Sequence, residues 1–189
     1  MNIDYYKQSR MLLGAALIVA QAALVSTYAD ETSENRGQLS AADYKFAKAA
    51  ACGGTMEVNL GKLAAEKSSN VSVQQFGQRM VTDHGKAGQE LEQIASRKGA
   101  SLPAQPTTGH QKEIDRLGKL SGSEFDKAYM NLMVRDHKAD ENEFKRASEH
   151  LQDPDLKAFA ASTLTVVQDH LKMAEDLAGT LKHEVSMNK

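Results

Sequence analysis

The sequence predicts an all-α protein, a four-helix bundle with a long connection between its second and third long helices. Apolar residues recur every three or four positions through four long segments, and no segment has the alternation of a strand. Residues that favour helix starts and stops bound those segments. One short phrase also occurs twice, as Met80-Val81-Thr82-Asp83-His84 and as Met133-Val134-Arg135-Asp136-His137, which indicates one helical unit used more than once.

The first 29 residues have the pattern of a secretory signal peptide. Two basic residues precede an apolar run at 11–25, and the small residue Ala29 precedes a polar chain. Cleavage after Ala29 would leave Asp30 as the first residue and send the protein to the periplasm or out of the cell. The alternative is a membrane anchor at residues 11–28, although this run falls short of the ~20 apolar residues that a span needs. No segment of the mature chain is apolar enough to cross a membrane.

The composition excludes some classes of partner. With 23 Lys and Arg against 25 Asp and Glu, the chain carries a net charge of −2 and no basic patch, so we expect no nucleic-acid binding. Cys52 is the only cysteine, which excludes an intramolecular disulfide, and its helical surroundings predict burial. The sequence identifies no protein partner and leaves a homo-oligomer open.

The first helix follows a polar stretch. Residues 30–39 lack periodicity, which predicts a flexible leader before a bundle domain at 40–183. Ser40 and Asp43 form a capping pair at the start of a helix over 41–67. Gly53-Gly54 in mid-helix lowers helix propensity and predicts close packing or a kink.

The second helix and the connection come next. The helix begins near Asn70 or Ser72, and Gly99 follows its last turn, as glycine often does at helix C-termini. Residues 99–122 form the connection, and 110–120 within it fit a short helix.

Two more long helices complete the bundle. Ser121 with Glu124 predicts the cap of the third, and Asp153-Pro154 is typical of a helix start and begins the fourth. Residues 184–189 are expected to be a frayed tail. A bundle with one long connection is the ferritin-like variant of the fold.

Four polar residues fall at one level of the predicted core. A rise of 1.5 Å per residue places Glu57, His84, His137 and His170 about 17–21 Å from the first interhelical turn. Buried imidazoles need partners, so three in one layer indicate either a metal site or a closed hydrogen-bond network. Histidine and glutamate together suit iron, copper, zinc or manganese.

Other side chains near this layer could support it. An aspartate precedes each histidine and is expected to hold a histidine of a neighbouring helix from behind: Asp83, Asp136 and Asp169. Methionines lie within one turn of the four residues, where thioethers would favour Cu(I) although methionine at this spacing usually fills the core: Met56, Met80, Met133 and Met173. We find no Ser-His-Asp spacing, phosphate loop or HExxH motif, so the sequence predicts no catalytic residues and leaves enzymatic activity undecided.

Taken together, these residues resemble a family of exported bacterial proteins known as domain of unknown function 4142 (DUF4142). The matching positions extend from Asp43 to about Leu177 and include both copies of the repeated phrase. The resemblance implies a ferritin-like bundle and a periplasmic or envelope location, and no activity. Two hypotheses stay open: a periplasmic metal-binding bundle with oxidase or storage activity, and a non-catalytic, stress-linked envelope protein whose polar layer fixes helix register.

Overall fold

The computed structural model describes residues 35–187, with side-chain positions up to residue 183. The predicted signal peptide, the alternative anchor at 11–28 and residues 30–34 of the expected leader lie outside the described residues. Residues 35–187 form helices without a strand, which confirms the all-α class. None of the helices in this range is long and apolar enough to span a membrane. The helices are α1 (Ala41–Lys67), α2 (Val71–Arg97), α3 (Thr108–Gly118), α4 (Gly122–His150) and α5 (Pro154–Met187).

The long helices form a bundle in which α2 and α4 run in the same direction. At one end, the Ser69 hydroxyl in the α1–α2 turn donates to Asp126 at the start of α4 at 2.8 Å. At the other end, Lys98 just after α2 pairs with Asp153 just before α5 at 2.8 Å. The connection at 98–121 therefore runs the length of the bundle, with α3 packed against α1. This confirms the predicted bundle with one long connection that carries a short helix.

Most of the residues predicted to cap a helix do so in the structure. The Ser40 hydroxyl accepts from an amide of the first turn of α1, and Asp153 Oδ1 accepts from two amides of α5 at 3.0 and 3.1 Å. Asn70 caps α2, whereas Ser121 before α4 makes no side-chain cap hydrogen bond. The short helix begins at Thr108, two residues before the predicted start, and α5 continues to Met187, past the expected boundary at 183.

Residues 35–39 lie against the bundle, although the sequence predicted a flexible leader over 30–39. The Gln38 amide donates to the Lys98 carbonyl at 2.9 Å, and the Ser101 amide donates to the Asn35 carbonyl at 2.8 Å. Leu39 is only 4% exposed. One apolar side chain and two backbone hydrogen bonds thus order a stretch whose composition is polar.

α1 and α2 touch at one level and separate at another. A Cβ on Gly61 would lie 2.5 Å from the Gly77 carbonyl oxygen, so the two backbones meet at these glycines. A Cβ on Gly53 or Gly54 would meet no atom within 4 Å. The close packing that the sequence suggested at Gly53-Gly54 is therefore wrong; it occurs about two turns further along α1.

A polar layer divides the core into two apolar clusters. One cluster lies toward the α4–α5 turn and is built around Phe46, Leu91, Phe144, Leu156 and Phe159. The other lies toward the α1–α2 turn and is built around Leu60, Phe76, Met80, Tyr129 and Met133. The residues between them include Glu57, His84, His137 and His170, all of which are buried.

Candidate metal centre

Three histidines from three helices meet in this polar layer. His84 on α2, His137 on α4 and His170 on α5 have ring centroids 5.2, 5.5 and 5.7 Å apart. One ring nitrogen of each lies within 4.8 Å of the other two. His84 is 8% exposed and the other two are fully buried, so the rings meet in the protein interior.

Each ring is held through one nitrogen. His84 Nδ1 lies 3.0 Å from Glu57 Oε2, and His170 Nε2 donates to Asp83 Oδ2 at 2.9 Å. His137 Nδ1 donates to the Met133 carbonyl at 3.0 Å. Because the Met133 carbonyl and the Asp83 carboxylate accept, the facing nitrogens of His137 and His170 carry the proton. The other nitrogen of each neutral ring is left with a lone pair.

The second nitrogens are buried and unpaired. His84 Nε2, His137 Nε2 and His170 Nδ1 have no hydrogen-bond partner among the described residues. Burial and then the neighbouring histidines lower the pKa of His84 to about 3 and of His137 to about 4. Burial also lowers the pKa of His170. The three rings are therefore neutral at pH 7, which is the form that binds metals.

Glu57 lies beside the rings and pairs with a carboxyl group that the sequence analysis did not assign to the site. An oxygen of Glu57, an oxygen of Asp140 and a ring nitrogen of His137 lie within 4.8 Å of one another. Burial, followed by the carboxylates of Asp140 and Asp136, raises the pKa of Glu57 well above its usual value. Burial, followed by the carboxylates of Asp136 and Glu143, raises the pKa of Asp140 to about 7. Each carboxyl group therefore favours its protonated form more strongly than an isolated carboxyl group would.

The sequence did contain a signal for Asp140. It lies three residues after His137 on the same apolar stripe of α4, and a carboxylate on a buried stripe needs a partner. Tyr129 on that stripe also lies close to the layer: burial and then Glu57 raise its pKa, and its hydroxyl has no partner among the described residues.

The three aspartates that precede the histidines have different surroundings. Asp83 reaches across from α2 and contacts His170 on α5. Asp136 accepts from Arg135 at 3.1 Å, and the 65% exposed side chain of Asp169 lies 3.9 Å from Arg79. Three methionines named above pack in the apolar cluster near the α1–α2 turn, and Met173 packs against it: Met56, Met80 and Met133.

A cleft of about 690 Å³ leads to this layer at the level where α1 and α2 separate. Glycines line both of its walls: Gly53, Gly54, Gly85 and Gly88. Glu57, His84 and Asp140 also line the cleft. The carboxyl side of the polar layer therefore faces a space that opens to solvent.

Residues 29–177 match the family model of a domain of unknown function, DUF4142. The chain belongs to the DUF4142 family. This confirms the resemblance found in the sequence, and the matched range includes Glu57, Asp140 and the three histidines. The comparisons with curated proteins and with solved structures found no match.

Proposed function

We propose that this DUF4142 protein is an exported bundle that binds a transition-metal ion through His84, His137 and His170. One observation carries the proposal: each ring is fixed through one nitrogen and keeps the other free and buried. Metal-binding histidines are typically oriented in this way by a carboxylate or carbonyl behind the ring. The single long connection, a feature of ferritin-like bundles, is consistent with a site built between facing helices.

The spacing of the rings suits a small ion after a modest contraction. Zn–N bonds of about 2.0–2.1 Å place two ligands of a tetrahedral ion roughly 3.4 Å apart. One nitrogen of each ring now lies within 4.8 Å of the other two, so these atoms would approach one another by up to roughly 1.4 Å. Three imidazoles suit zinc, copper and iron better than manganese, which prefers oxygen ligands. Glu57 behind His84 and Asp83 behind His170 would balance the charge of the ion.

The proposed location rests on the N-terminal pattern of a basic segment followed by an apolar run. Expression of the full chain followed by intact-mass measurement tests it. Periplasmic protein that begins at Asp30 is the expected product. Membrane-bound protein that retains Met1 would identify an anchor instead.

Metal binding is tested on untagged protein. Metal analysis after purification without chelator should find a bound ion. Chelator-treated protein should then melt at a higher temperature with Zn(II), Cu(I) or Fe(II), because an ion at a hundred times its Kd adds ~2.7 kcal/mol to the free energy of unfolding. Replacing His137 by leucine should abolish the shift. Replacing the 73% exposed His150 should not. A parent protein that responds to no ion, Mn(II) included, would rule out the metal site.

The second candidate is a non-catalytic, stress-linked envelope protein in which the layer fixes helix register. The contacts from His84 to Glu57 and from His170 to Asp83 favour it, because each joins two helices at one level. Such a layer would show no metal-dependent shift in melting temperature, and apolar replacement of its members would leave the stability of the fold unchanged or raise it.

A further inference from the structure

We propose that the cleft between α1 and α2 is the path by which the metal ion reaches the histidines, and that Glu57 and Asp140 hold the ion first. This inference rests on the proposed metal site. It adds to that site an access route and a separate binding position rich in carboxyl groups.

The shape of the cleft comes from glycine. α1 and α2 touch at Gly61 and Gly77 and diverge beyond them, where both walls carry glycines. A Cβ on any of the four cleft glycines would meet no atom within 4 Å, so they do not serve close helix packing. The absence of side chains at Gly53, Gly54, Gly85 and Gly88 leaves the opening.

The deeper part of the cleft offers ligands to a cation. Glu57 is 3% exposed and its Oε1 has no hydrogen-bond partner among the described residues. Together with Asp140 and His137, it provides two carboxyl groups and one imidazole within 4.8 Å. This oxygen-rich set suits a divalent cation that is still partly hydrated.

His137 links the two positions. Its Nε2 lies 3.6 Å from Glu57 Oε1, and the same residue belongs to the three-histidine group. His84 and His170 complete that group. An ion held by the carboxyl pair could therefore pass to the histidines by exchanging oxygen ligands for nitrogen.

The charges along the cleft favour cations. α4 carries His137, Asp140 and Glu143 at three-residue intervals, which places them along one side of the helix. Asp140 and Glu143 line the cleft together with Glu57 on α1, and Glu92 adds a fourth carboxyl group on α2. Lys62 is the one basic side chain among the described lining residues. This excess of acidic groups should raise the local concentration of cations.

Closing the cleft tests the path. Gly53→Leu and Gly88→Leu each place a side chain one turn from Glu57 or His84, respectively. Gly179→Leu is the matched control, since Gly179 is also helical, also has no atom within 4 Å of a Cβ, and lies outside the cleft. Chelator-treated protein is mixed with Co(II), whose visible absorption reports coordination, in a stopped-flow instrument. Both cleft variants should load and release Co(II) at least about tenfold more slowly than the parent.

The affinity for Co(II) should stay unchanged in the cleft variants, because a path alters loading and release equally. The Gly179→Leu control should load at the parent rate. Asp140→Asn should load slowly with little loss of final affinity, since the histidines remain. Cleft variants that load as fast as the parent would overturn the path, as would slow loading with an equal loss of affinity. If Co(II) does not bind the parent, the proposed metal site fails and the path fails with it.

Discussion

Replacing Asp83 by alanine removes the acceptor that fixes the His170 ring. The Asp83 carboxylate now accepts from His170 Nε2 at 2.9 Å and from Arg79 Nε at 3.1 Å. Without it, the proton on the ring has no fixed position, and the ring can present N–H instead of a lone pair to the ion. We therefore expect Asp83→Ala to weaken metal binding although Asp83 is not itself one of the three proposed nitrogen ligands.

The size of the effect follows from this contact. Loss of a residue that orients a ligand weakens metal binding by ~10–100-fold, which is roughly 1.4–2.8 kcal/mol. In metal-free protein, the buried His170 loses a hydrogen bond, which costs about 1–3 kcal/mol. We expect the lower end of this range because the Asp83 side chain is 29% exposed and water can replace it.

The repeat supplies a control for this experiment. Asp136 is the sequence equivalent of Asp83, but its hydrogen bond goes to Arg135. The affinity for Zn(II), measured by competition with a chromophoric chelator, should differ by no more than about threefold between Asp136→Ala and the parent, since only a long-range charge is lost. Equal affinities of Asp83→Ala and the parent would refute the orienting role. An equal loss in the two variants would show that both act through charge alone.

Three further outcomes follow from the fold. Asp153→Ala should lower the free energy of unfolding by ~1 kcal/mol through loss of the α5 cap. Although partial burial raises it, hydrogen bonds from Lys98 and the α5 amides hold the pKa of Asp153 below its usual value. The stability that ionised Asp153 contributes is thus present above about pH 4 and lost below it. Urea titrations should therefore show a smaller difference in the free energy of unfolding between parent and variant at pH 3 than at pH 7. Gly77→Ala should destabilise by ~1–3 kcal/mol, because its Cβ would lie 2.6 Å from another Cβ. Gly54→Ala is the contrasting variant, because its Cβ would meet open space, and it should stabilise by ~0.5–1 kcal/mol; thermal melts of both glycine variants measure the two effects. Cys52, whose predicted burial is confirmed at 6% exposure, should react with a thiol reagent much more slowly in native than in urea-unfolded protein, since burial also raises its pKa.

The fold could be predicted from sequence because its signals are local. Apolar periodicity marks each helix, and Ser40, Asn70 and Asp153 cap helices within three residues of themselves. The length of the connection also favours a crossover. Order in residues 35–39 was missed because it depends on contacts with residues 98–101, which lie about 60 positions away.

The site could be predicted only in part because its contacts run between helices. Helical rise is enough to place Glu57, His84, His137 and His170 at one level. It does not show which atom each side chain meets, so the repeat suggested equivalent roles for Asp83 and Asp136. Equivalent positions on α2 and α4 have different neighbours. Asp83 contacts α5, whereas the pKa of Asp136 is influenced by charged side chains on α3. The cleft was missed for the same reason, since Gly53-Gly54 in a sequence does not reveal where two helices diverge.

Because the layer contains unpaired polar atoms, the metal-site hypothesis and the structural-layer hypothesis predict different effects of substitution on stability. A layer that only fixes helix register should satisfy its own polar groups, because each unpaired buried group costs about 1–3 kcal/mol. Here three ring nitrogens and Glu57 Oε1 have no partner within the described residues. A single ion would give all three nitrogens a bond at once. Without metal, His137→Leu should therefore leave the free energy of unfolding unchanged or raise it. With saturating Zn(II), the same variant should be less stable than the parent. If the layer only fixes helix register, His137→Leu changes the free energy of unfolding in the same direction with and without Zn(II). A reversal of that direction between the two urea titrations therefore identifies a metal site.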